Sequence, residues 1–528
     1  MKKIATLLLA AGLVFGVATG ASAIDFKAKG QWIMNFDYGQ NGGFTGGNGM
    51  TGFNQANKQY KNEDEFEASQ RVRLQLDAVA SEALSGTVFF EIGQQYWGTS
   101  NTGNTGNSGG SLGADGNQAV KVKNAYIDWL VPQTDLKIRM GIQGMALPSF
   151  TTGSNIFNDD VAGITASYQF NETVGVTALW ARPFNDNYVN GNDHGNYRTN
   201  YMDNMDVFAL LVPLTFDGVK VTPWAMYSAI GPNTFRGAGY NNYYGNISGT
   251  SNKYPTAGMV PVGGALHKDG SASTKAMGTY GNAVWAGLTG EVTAFDPFRI
   301  AWDFNYGSVS YEDSRANRAG WMGSLLFEYK LDWAIPGLYG WYASGDDGNP
   351  ANGSERMPSI SVNNNNNGFS DFAFNGGPMV AREAILGYDM SGTWGIGARL
   401  KDMSFIENLK HTFRLNLIGG TNSTTMTRYL VNHNSAYKTS LNSAALTGPN
   451  AQAAGMNPLY MTTNDTALEF GLSNDYKMYD NFTVSLDAAY IATWLDQSRG
   501  VWGNSKMNGR SDQERDPWNV NVRFVYSF

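Results

Sequence analysis

Cysteine is absent from this chain of 528 residues, and histidine occurs only four times. The absence of cysteine excludes disulfide crosslinks, thiolate metal sites and thiol nucleophiles, although it is compatible with an oxidising compartment. The four histidines are too far apart in the sequence to have a recognisable metal-ligand spacing. The chain therefore has to fold without crosslinks, and we expect no metal site and no cofactor.

Long apolar runs are missing after the N-terminal segment. No stretch of about 18 uncharged apolar residues follows it, which is the length that a membrane-spanning helix needs. The N-terminal segment itself has Lys2 and Lys3, then an apolar stretch over residues 4–17, then Ala21, Ser22 and Ala23. That layout is typical of a cleaved secretory signal. We expect residues 1–23 to be a cleaved signal peptide, so any membrane crossing in the mature chain must be made by strands.

Positive charge is in deficit, with 37 basic against 45 acidic side chains and a formal net charge of −8. This balance argues against nucleic acid as a partner. The length alone would allow several domains, but strand-like segments recur from end to end without a composition break that could be a linker. The sequence predicts that residues 24–528 form a single domain.

Strict alternation of apolar and polar residues is the main pattern in the chain. In the last segment, WNVNVRFVYSF, apolar residues from Trp518 to Phe528 occupy every second position, and the positions between them include Asn519, Asn521 and Arg523. The same alternation recurs over residues 26–36, 72–78, 136–143, 298–306, 394–401 and 482–490. A period of two places one side of each strand against an apolar medium and the other against water. Residues 120–130 break the alternation, which predicts a β-bulge there.

These patterns predict an all-β fold, a transmembrane antiparallel β-barrel of 16–18 strands, with 18 preferred. Hydrocarbon offers no hydrogen-bond partner to a backbone amide, so a sheet in a membrane must close on itself. Long polar segments alternate with short turns, as expected for long extracellular loops and short periplasmic turns. A soluble β-sandwich would also alternate, but the aromatic residues near strand ends match the girdles of a membrane barrel.

A channel needs no catalytic group, so the candidate functional residues are charges on the inner wall. We predict that basic residues outnumber acidic residues on the inner wall and that the channel therefore favours anions weakly. The main pore-lining candidates are Arg71, Arg73, Lys137, Arg139, Arg399 and Arg414. Further basic residues on the same face are Lys27, Lys29, Arg299, Lys401 and Arg523. Acidic residues on that face are Glu67, Asp77, Asp303, Glu328, Glu469 and Asp487.

The third long loop, residues 144–163, carries Asp159 and Asp160. By analogy with general porins, we expect this loop to fold inward, so that the two carboxylates face the basic arc of Arg71, Arg73, Lys137 and Arg139 across a constriction. The alternative is a solvated extracellular loop. Asp346, Asp347 and the glycine after them resemble the start of a calcium loop only superficially, so bound calcium is not supported by the sequence.

The chain resembles the homotrimeric outer-membrane porins of sulfate-reducing bacteria over nearly its whole length. The resemblance is most suggestive at residues 392–402 (GTWGIGARLKD), at residues 411–423 (HTFRLNLIGGTNS) and in the final strand. It implies a homotrimer in the bacterial outer membrane, in contact with lipid and lipopolysaccharide. The final strand is also similar to the signal that barrel-assembly machinery reads, with Phe528, Tyr526 and Phe524 as the signal residues.

The predicted function is passive diffusion of small hydrophilic solutes and ions, including sulfate and organic acids, without enzymatic activity. A substrate-specific channel is the first alternative, and it is disfavoured because the residues assigned to the inner face include little Trp or Tyr. A barrel enzyme or adhesin is the second alternative. No paired Ser/His or carboxylate constellation supports it.

Overall fold

The computed structural model describes residues 24–40, 65–97, 120–185, 204–231, 258–261, 280–362, 368–370, 372–374, 386, 390–433, 460–496, 498 and 516–528. The expected signal peptide, residues 1–23, lies outside them. None of the helices in the described ranges is long and apolar enough to cross a membrane. The described residues form one sheet of 20 strands, one α-helix, α1 (Thr424–His433), and a 3-10 turn at Ser314–Ala316.

The strands follow one another along the chain with few other elements. They are β1 (Asp25–Gln40), β2 (Glu65–Ser81), β3 (Leu84–Tyr96), β4 (Val120–Leu130), β5 (Lys137–Ala146), β6 (Phe157–Gln169), β7 (Gly175–Asn185), β8 (Asn204–Leu211), β9 (Leu214–Phe216), β10 (Val219–Ile230), β11 (Gly281–Val292), β12 (Phe298–Ser310), β13 (Arg318–Tyr329), β14 (Ile335–Ala343), β15 (Ser361–Val362), β16 (Thr393–Ile406), β17 (Leu409–Gly420), β18 (Thr466–Tyr479), β19 (Phe482–Trp494) and β20 (Trp518–Ser527).

The sheet closes into a barrel of 18 wall strands. β1 pairs antiparallel with β2 on one side and with β20 on the other, which joins the two ends of the sheet. β8 and β9 both pair with β10 and are two parts of one wall strand, interrupted at Pro213, which has no N–H to donate. β15 pairs in parallel with β6 and lies outside the wall ladder. The preferred count of 18 strands is therefore confirmed.

The predicted alternation places side chains outside and inside the barrel as expected. On β12, Phe304 and Tyr306 are exposed on the outer surface, whereas Asp303 and Asn305 are buried inside. On β1, Trp32 lies outside and Asn35 lies inside. The predicted irregularity in residues 120–130 is also confirmed, since a register shift occurs where β3 pairs with β4. The barrel thus has an apolar outer surface and an inner surface that includes ionised side chains.

Connections at the two ends of the barrel differ in length. At one end, here called the short-turn end, the links are brief, as at residues 82–83, 131–136, 217–218, 407–408 and 480–481. At the other, the long-loop end, most links are long, including residues 41–64, 344–392 and 421–465. A short link, residues 311–317 between β12 and β13, also lies at this end and departs from the expected pattern of long loops.

The seam between β1 and β20 is completed by the last residue of the chain. The Gly30 N–H donates to the Phe528 carbonyl at 2.7 Å, and the Phe528 N–H donates to the Gly30 carbonyl at 3.0 Å. The Phe528 ring lies over Gly30, where a Cβ atom would be 2.9 Å from ring atom Cε2 and 2.7 Å from the Arg73 carbonyl oxygen. Glycine at position 30 therefore leaves room for the ring that covers the seam.

Candidate functional site

Part of the β5–β6 hairpin leaves the barrel wall and enters the lumen. β4 pairs with β5 only as far as Ile142, and β7 pairs with β6 only as far as Gly163. Beyond these points, β5 and β6 continue to pair with each other as far as Ala146 and Asn158. Residues 143–162, here called the ribbon, are thus a two-stranded hairpin whose strands pair with no wall strand among the residues that the structure describes.

Two glycines stand opposite each other where the ribbon begins. Gly141 has a φ of +130°, which side-chain-bearing residues rarely adopt, and it pairs with Gly163. A Cβ at Gly141 would lie 2.7 Å from the Tyr126 Cα, and a Cβ at Gly163 would lie 2.7 Å from the Met145 Cε. The missing side chains leave space for the hairpin to bend away from the wall.

The tip of the ribbon is held by Asp303 on the inner face of β12. This buried carboxylate accepts hydrogen bonds from the Ser149 hydroxyl at 2.5 Å, from the Phe150 N–H at 3.0 Å and from the Thr151 N–H at 3.2 Å. The Thr151 and Thr289 hydroxyls also donate to it. Asp303 was predicted to line the lumen, and the structure places it on that face, but it is covered by the ribbon.

A second buried carboxylate, Glu328 on β13, connects two arginines that reach both inward segments. Arg299 donates to Glu328 at 2.7 Å and to the Phe150 carbonyl of the ribbon at 3.0 Å. Arg399 donates to Glu328 at 2.6 Å and to the Gly368 carbonyl of the β14–β16 loop at 2.6 Å. The cation at Arg399, predicted to line the pore, is thus buried in contacts that hold the loop.

The described residues of the β14–β16 loop, which spans residues 344–392, form the second inward segment. Glu469 on β18 is fully buried and accepts hydrogen bonds from the Ser370 hydroxyl at 3.0 Å and from the N–H groups of Phe372 and Ala373 at 2.9 and 3.0 Å. The Phe369 ring stacks on Tyr339 of the wall at a centroid distance of 4.2 Å. β15 of this loop also pairs with the ribbon at Phe157. The ribbon and the loop are therefore packed together against the inner face of β12–β18.

Aromatic residues inside the barrel are more numerous than the sequence suggested. The expectation that the inner face is poor in Trp and Tyr is wrong, because Trp224, Trp285, Tyr339 and Trp341 are buried there. The Trp285 indole donates to the Pro358 carbonyl of the β14–β16 loop at 2.9 Å. Trp285, Tyr339 and Trp341 contact this loop, and none of the four rings is exposed as a ladder along the lumen.

The inner face of β2–β7 toward the short-turn end, here called the open arc, keeps several polar side chains partly exposed. On β2 and β3, Arg73 donates to Glu91 at 2.8 Å. On β4 and β5, Arg139 forms a bidentate pair with Asp128 at 2.7 and 2.8 Å, and its guanidinium lies 4.1 Å from the centre of the Tyr126 ring. Arg73 on β2 and Arg139 on β5 thus both lie on the inner face, with β3 and β4 between them, and each is ion-paired.

The other two members of the basic arc are Arg71 and Lys137, which differ from Arg73 and Arg139 in their ion pairing. In the described part of the chain, no carboxylate lies within ion-pair distance of either, and the Nε of Arg71 is buried without a hydrogen-bond partner. Arg414, the remaining basic candidate, pairs with Arg399 in the β16–β17 register, away from this arc. Arg71 and Lys137 are therefore the two members of the basic arc without an ion-paired carboxylate in the described part of the chain.

The two acidic candidates of the third loop lie at the base of the ribbon rather than at its tip. Asp160 forms an ion pair with Lys123 of β4 and accepts a hydrogen bond from the Asn124 side chain at 2.7 Å. The Asp159 side chain accepts from the Asp160 N–H at 2.7 Å. The structure thus brings Asp160 to β4. Arg73 and Arg139 pair with Glu91 and Asp128 instead, and Arg71 has no ion-paired carboxylate in the described ranges.

The acidic start of the β14–β16 loop is bonded to the protein itself. Asp346 accepts from the Tyr460 hydroxyl at 2.6 Å, and Asp347 accepts from the Asn349 N–H at 2.6 Å. Burial and the nearby charges of Asp347 and Asp346 raise the pKa of Glu355. No group of three potential metal-ligating acids or histidines occurs among the residues that the structure describes. These contacts organise the described part of the loop.

No protein-family model matches the chain, and none of the curated proteins matches it. Solved structures with a similar architecture include OpdQ of Pseudomonas aeruginosa, at 10% identity over 96% of this chain and 98% of that chain, with a TM-score of 0.45. The outer membrane protein OprD from the same organism has 10% identity over 97% and 96%, with a TM-score of 0.46. OccAB3 of Acinetobacter baumannii has 8% identity over 95% and 100%, with a TM-score of 0.46. At these identities and TM-scores, the similarities carry no conclusion about family or substrate.

Proposed function

We propose that this protein is a bacterial outer-membrane porin through which small hydrophilic solutes and ions diffuse passively, with a weak preference for anions. One observation carries the proposal. A closed barrel of 18 strands has an apolar outer surface, and its lumen is narrowed on one side by the ribbon and the β14–β16 loop. The partly exposed ionised residues of the open arc then line the remaining path.

The wall composition supports this function. A barrel of this strand number encloses more space than wall side chains fill, so an aqueous path remains unless loops block it. Charges affect ion selectivity where the passage narrows to about the Debye length, roughly 8 Å at physiological salt. Arg71 and Lys137 lie on the open arc without ion-paired acids in the described residues, which favours anions such as sulfate and organic acids.

Planar-bilayer recording of the purified protein tests the proposal. Stable ohmic current steps are expected, and in a salt gradient the reversal potential should indicate a modest preference for anions. Correctly folded barrels that insert and yet pass no current would overturn the proposed function. Steps that saturate strongly with one solute would favour the substrate-specific channel instead.

Neutralising the two cations of the open arc that have no ion-paired carboxylate among the described residues should change ion selectivity. In the double variant Arg71→Gln and Lys137→Gln, two positive charges leave the wall, so the reversal potential should move toward cations. The measurement is the anion-to-cation permeability ratio in a salt gradient. Lys330→Gln removes a charge of the same type in a short turn and is the matched control. A ratio that stays the same in the double variant would contradict the assigned role of the open arc.

We further propose, from the resemblance to the porins of sulfate-reducing bacteria, that the barrel assembles as a homotrimer in contact with outer-membrane lipid and lipopolysaccharide. Phe524, Tyr526 and Phe528 are proposed to be read by barrel-assembly machinery. In support, the Tyr526 and Phe528 rings stack on the outer surface at 5.7 Å, where a partner can reach them. Native mass spectrometry of the extracted protein tests the trimer, and a monomer in mild detergent would contradict it.

A further inference from the structure

A pocket of about 310 Å³ lies in the inner wall at β5–β8, within the open arc and its continuation onto β8. This volume is at the lower end of the range for small-molecule sites. Toward the long-loop end the pocket is bounded by Gln143 and Met145 of the ribbon, both buried. The ribbon therefore gives the pocket a covered end, while the rest opens to the lumen.

The strand register explains the order of the lining residues. Lys137 of β5 pairs with Ser167 of β6, Ser167 pairs with Thr177 of β7, and Thr177 pairs with Leu211 of β8. Since neighbouring strands lie about 4.8 Å apart, this row spans roughly 14 Å. The row begins with a cation, continues with two hydroxyls and ends with an apolar side chain.

The polar half of the pocket has the groups that bind an anion. Lys137 is exposed, and no carboxylate in the described ranges lies within ion-pair distance of it. The Ser167 and Thr177 hydroxyls are 2.9 Å apart and share one hydrogen bond. That bond uses one of their two protons, so the other is available to an anionic oxygen.

The opposite half is apolar. Leu211 is partly exposed, and Leu179, in the next row of the wall, packs beside it. Thr165, which pairs with Leu179, donates its hydroxyl to the Gln143 side chain at 3.2 Å, so its proton is already used. An inorganic anion would leave this apolar half in contact with water only.

We propose that this pocket binds amphipathic monoanions, namely short aliphatic carboxylates, with the carboxylate at Lys137 and the Ser167–Thr177 hydroxyl pair and the alkyl chain against Leu179 and Leu211. The inference rests on the proposed function, because it assigns a transient binding step to the solute path. It predicts that affinity increases with alkyl length, whereas simple charge attraction would not distinguish chain lengths.

The test compares hexanoate, acetate and sulfate as probes for the full-length barrel in detergent by isothermal titration calorimetry, with empty micelles subtracted. A fully buried methylene tightens binding about fourfold. The pocket is partly open, so hexanoate should bind about tenfold more tightly than acetate. Equal affinities for hexanoate and acetate would overturn the proposal.

Matched variants separate the two halves of the pocket. Lys137→Gln should weaken hexanoate and acetate together, and Leu211→Thr should reduce the preference for hexanoate over acetate. Leu210→Thr is the control for the apolar half, because Leu210 is the preceding residue and faces the outer surface. Lys330→Gln is the control for charge. If Leu211→Thr and Leu210→Thr behave alike, the assigned apolar half is wrong.

The proposed binding pocket and the proposed porin function can be contradicted independently of each other. A barrel that binds hexanoate in detergent but passes no current in bilayers would contradict the porin function and leave the pocket intact. A barrel that conducts but shows no dependence on alkyl length would contradict the pocket alone.

Discussion

Asp303→Ala is expected to release the tip of the ribbon and to increase both the single-channel conductance and the open-channel noise. The carboxylate accepts from Ser149, Phe150 and Thr151 of the tip, and hydrogen bonds to a charged group contribute roughly 1.5–3 kcal/mol each. In the variant the two backbone N–H groups of the tip lose their acceptor, which costs further free energy if they stay buried. The loss of these three bonds should weaken anchoring of the tip by on the order of 5–9 kcal/mol.

The control for this variant is Asp77→Ala. Asp77 lies on the inner face of β2 and accepts from the Gln75 and Thr87 side chains at 2.8 and 2.7 Å, without a hydrogen bond to the described residues of either inward segment. Both variants remove one negative charge from the lumen, so both should alter selectivity, but only Asp303→Ala should widen the path. A conductance unchanged from the parent protein in Asp303→Ala would show that the ribbon tip does not limit the current.

Gly30→Ala is expected to impair closure of the barrel although Phe528 is still present. The added methyl group would meet the Phe528 ring and, at 2.7 Å, the Arg73 carbonyl oxygen, which belongs to the backbone and cannot turn aside. Overpacking of this kind costs about 1–3 kcal/mol. In cold SDS electrophoresis, the folded band should convert to the unfolded form at a lower temperature than in the parent protein.

Gly86→Ala is the matched control, because a Cβ there would meet only the Tyr126 carbonyl oxygen, at 3.9 Å. A lower conversion temperature in Gly30→Ala alone indicates that the close packing of Gly30 against the Phe528 ring and the Arg73 carbonyl oxygen stabilises the seam. Equal conversion temperatures in Gly30→Ala and Gly86→Ala would contradict this role of Gly30.

The wall of the barrel could be predicted from the sequence because a period of two is a local property. It fixed the inner and outer faces of β1 and β12 correctly, and it found the irregularity in β4. The pattern predicts which side of a strand a residue faces. It does not predict whether loop residues fill the lumen next to that residue. Asp303 and Glu469 were therefore assigned to the correct face without their contacts to loop residues about 100 to 150 positions away.

One signal for the filled part of the lumen was present in the sequence. On β14, Leu338 and Tyr342 face outward, while Tyr339 and Trp341 face inward, so both sides of the strand are apolar. A wall strand that is apolar on both faces has lipid on one side and needs other protein on the second. The apolar residues on both faces of β14 therefore indicate that another part of the protein covers its inner face. The chain segment that covers it could not be identified from local pattern, because that contact depends on the tertiary path.

The departure of the ribbon from the wall at Gly141 and Gly163 separates two mechanical roles in one hairpin. The hydrogen bonds that join β5 and β6 to their neighbours β4 and β7 in the barrel wall lie in the part of the hairpin nearer the short-turn end. In the described residues they do not include residues 143–162. A change in the conformation of the ribbon therefore does not have to weaken the barrel wall around it. Permeability and mechanical strength are set by different parts of the same two strands.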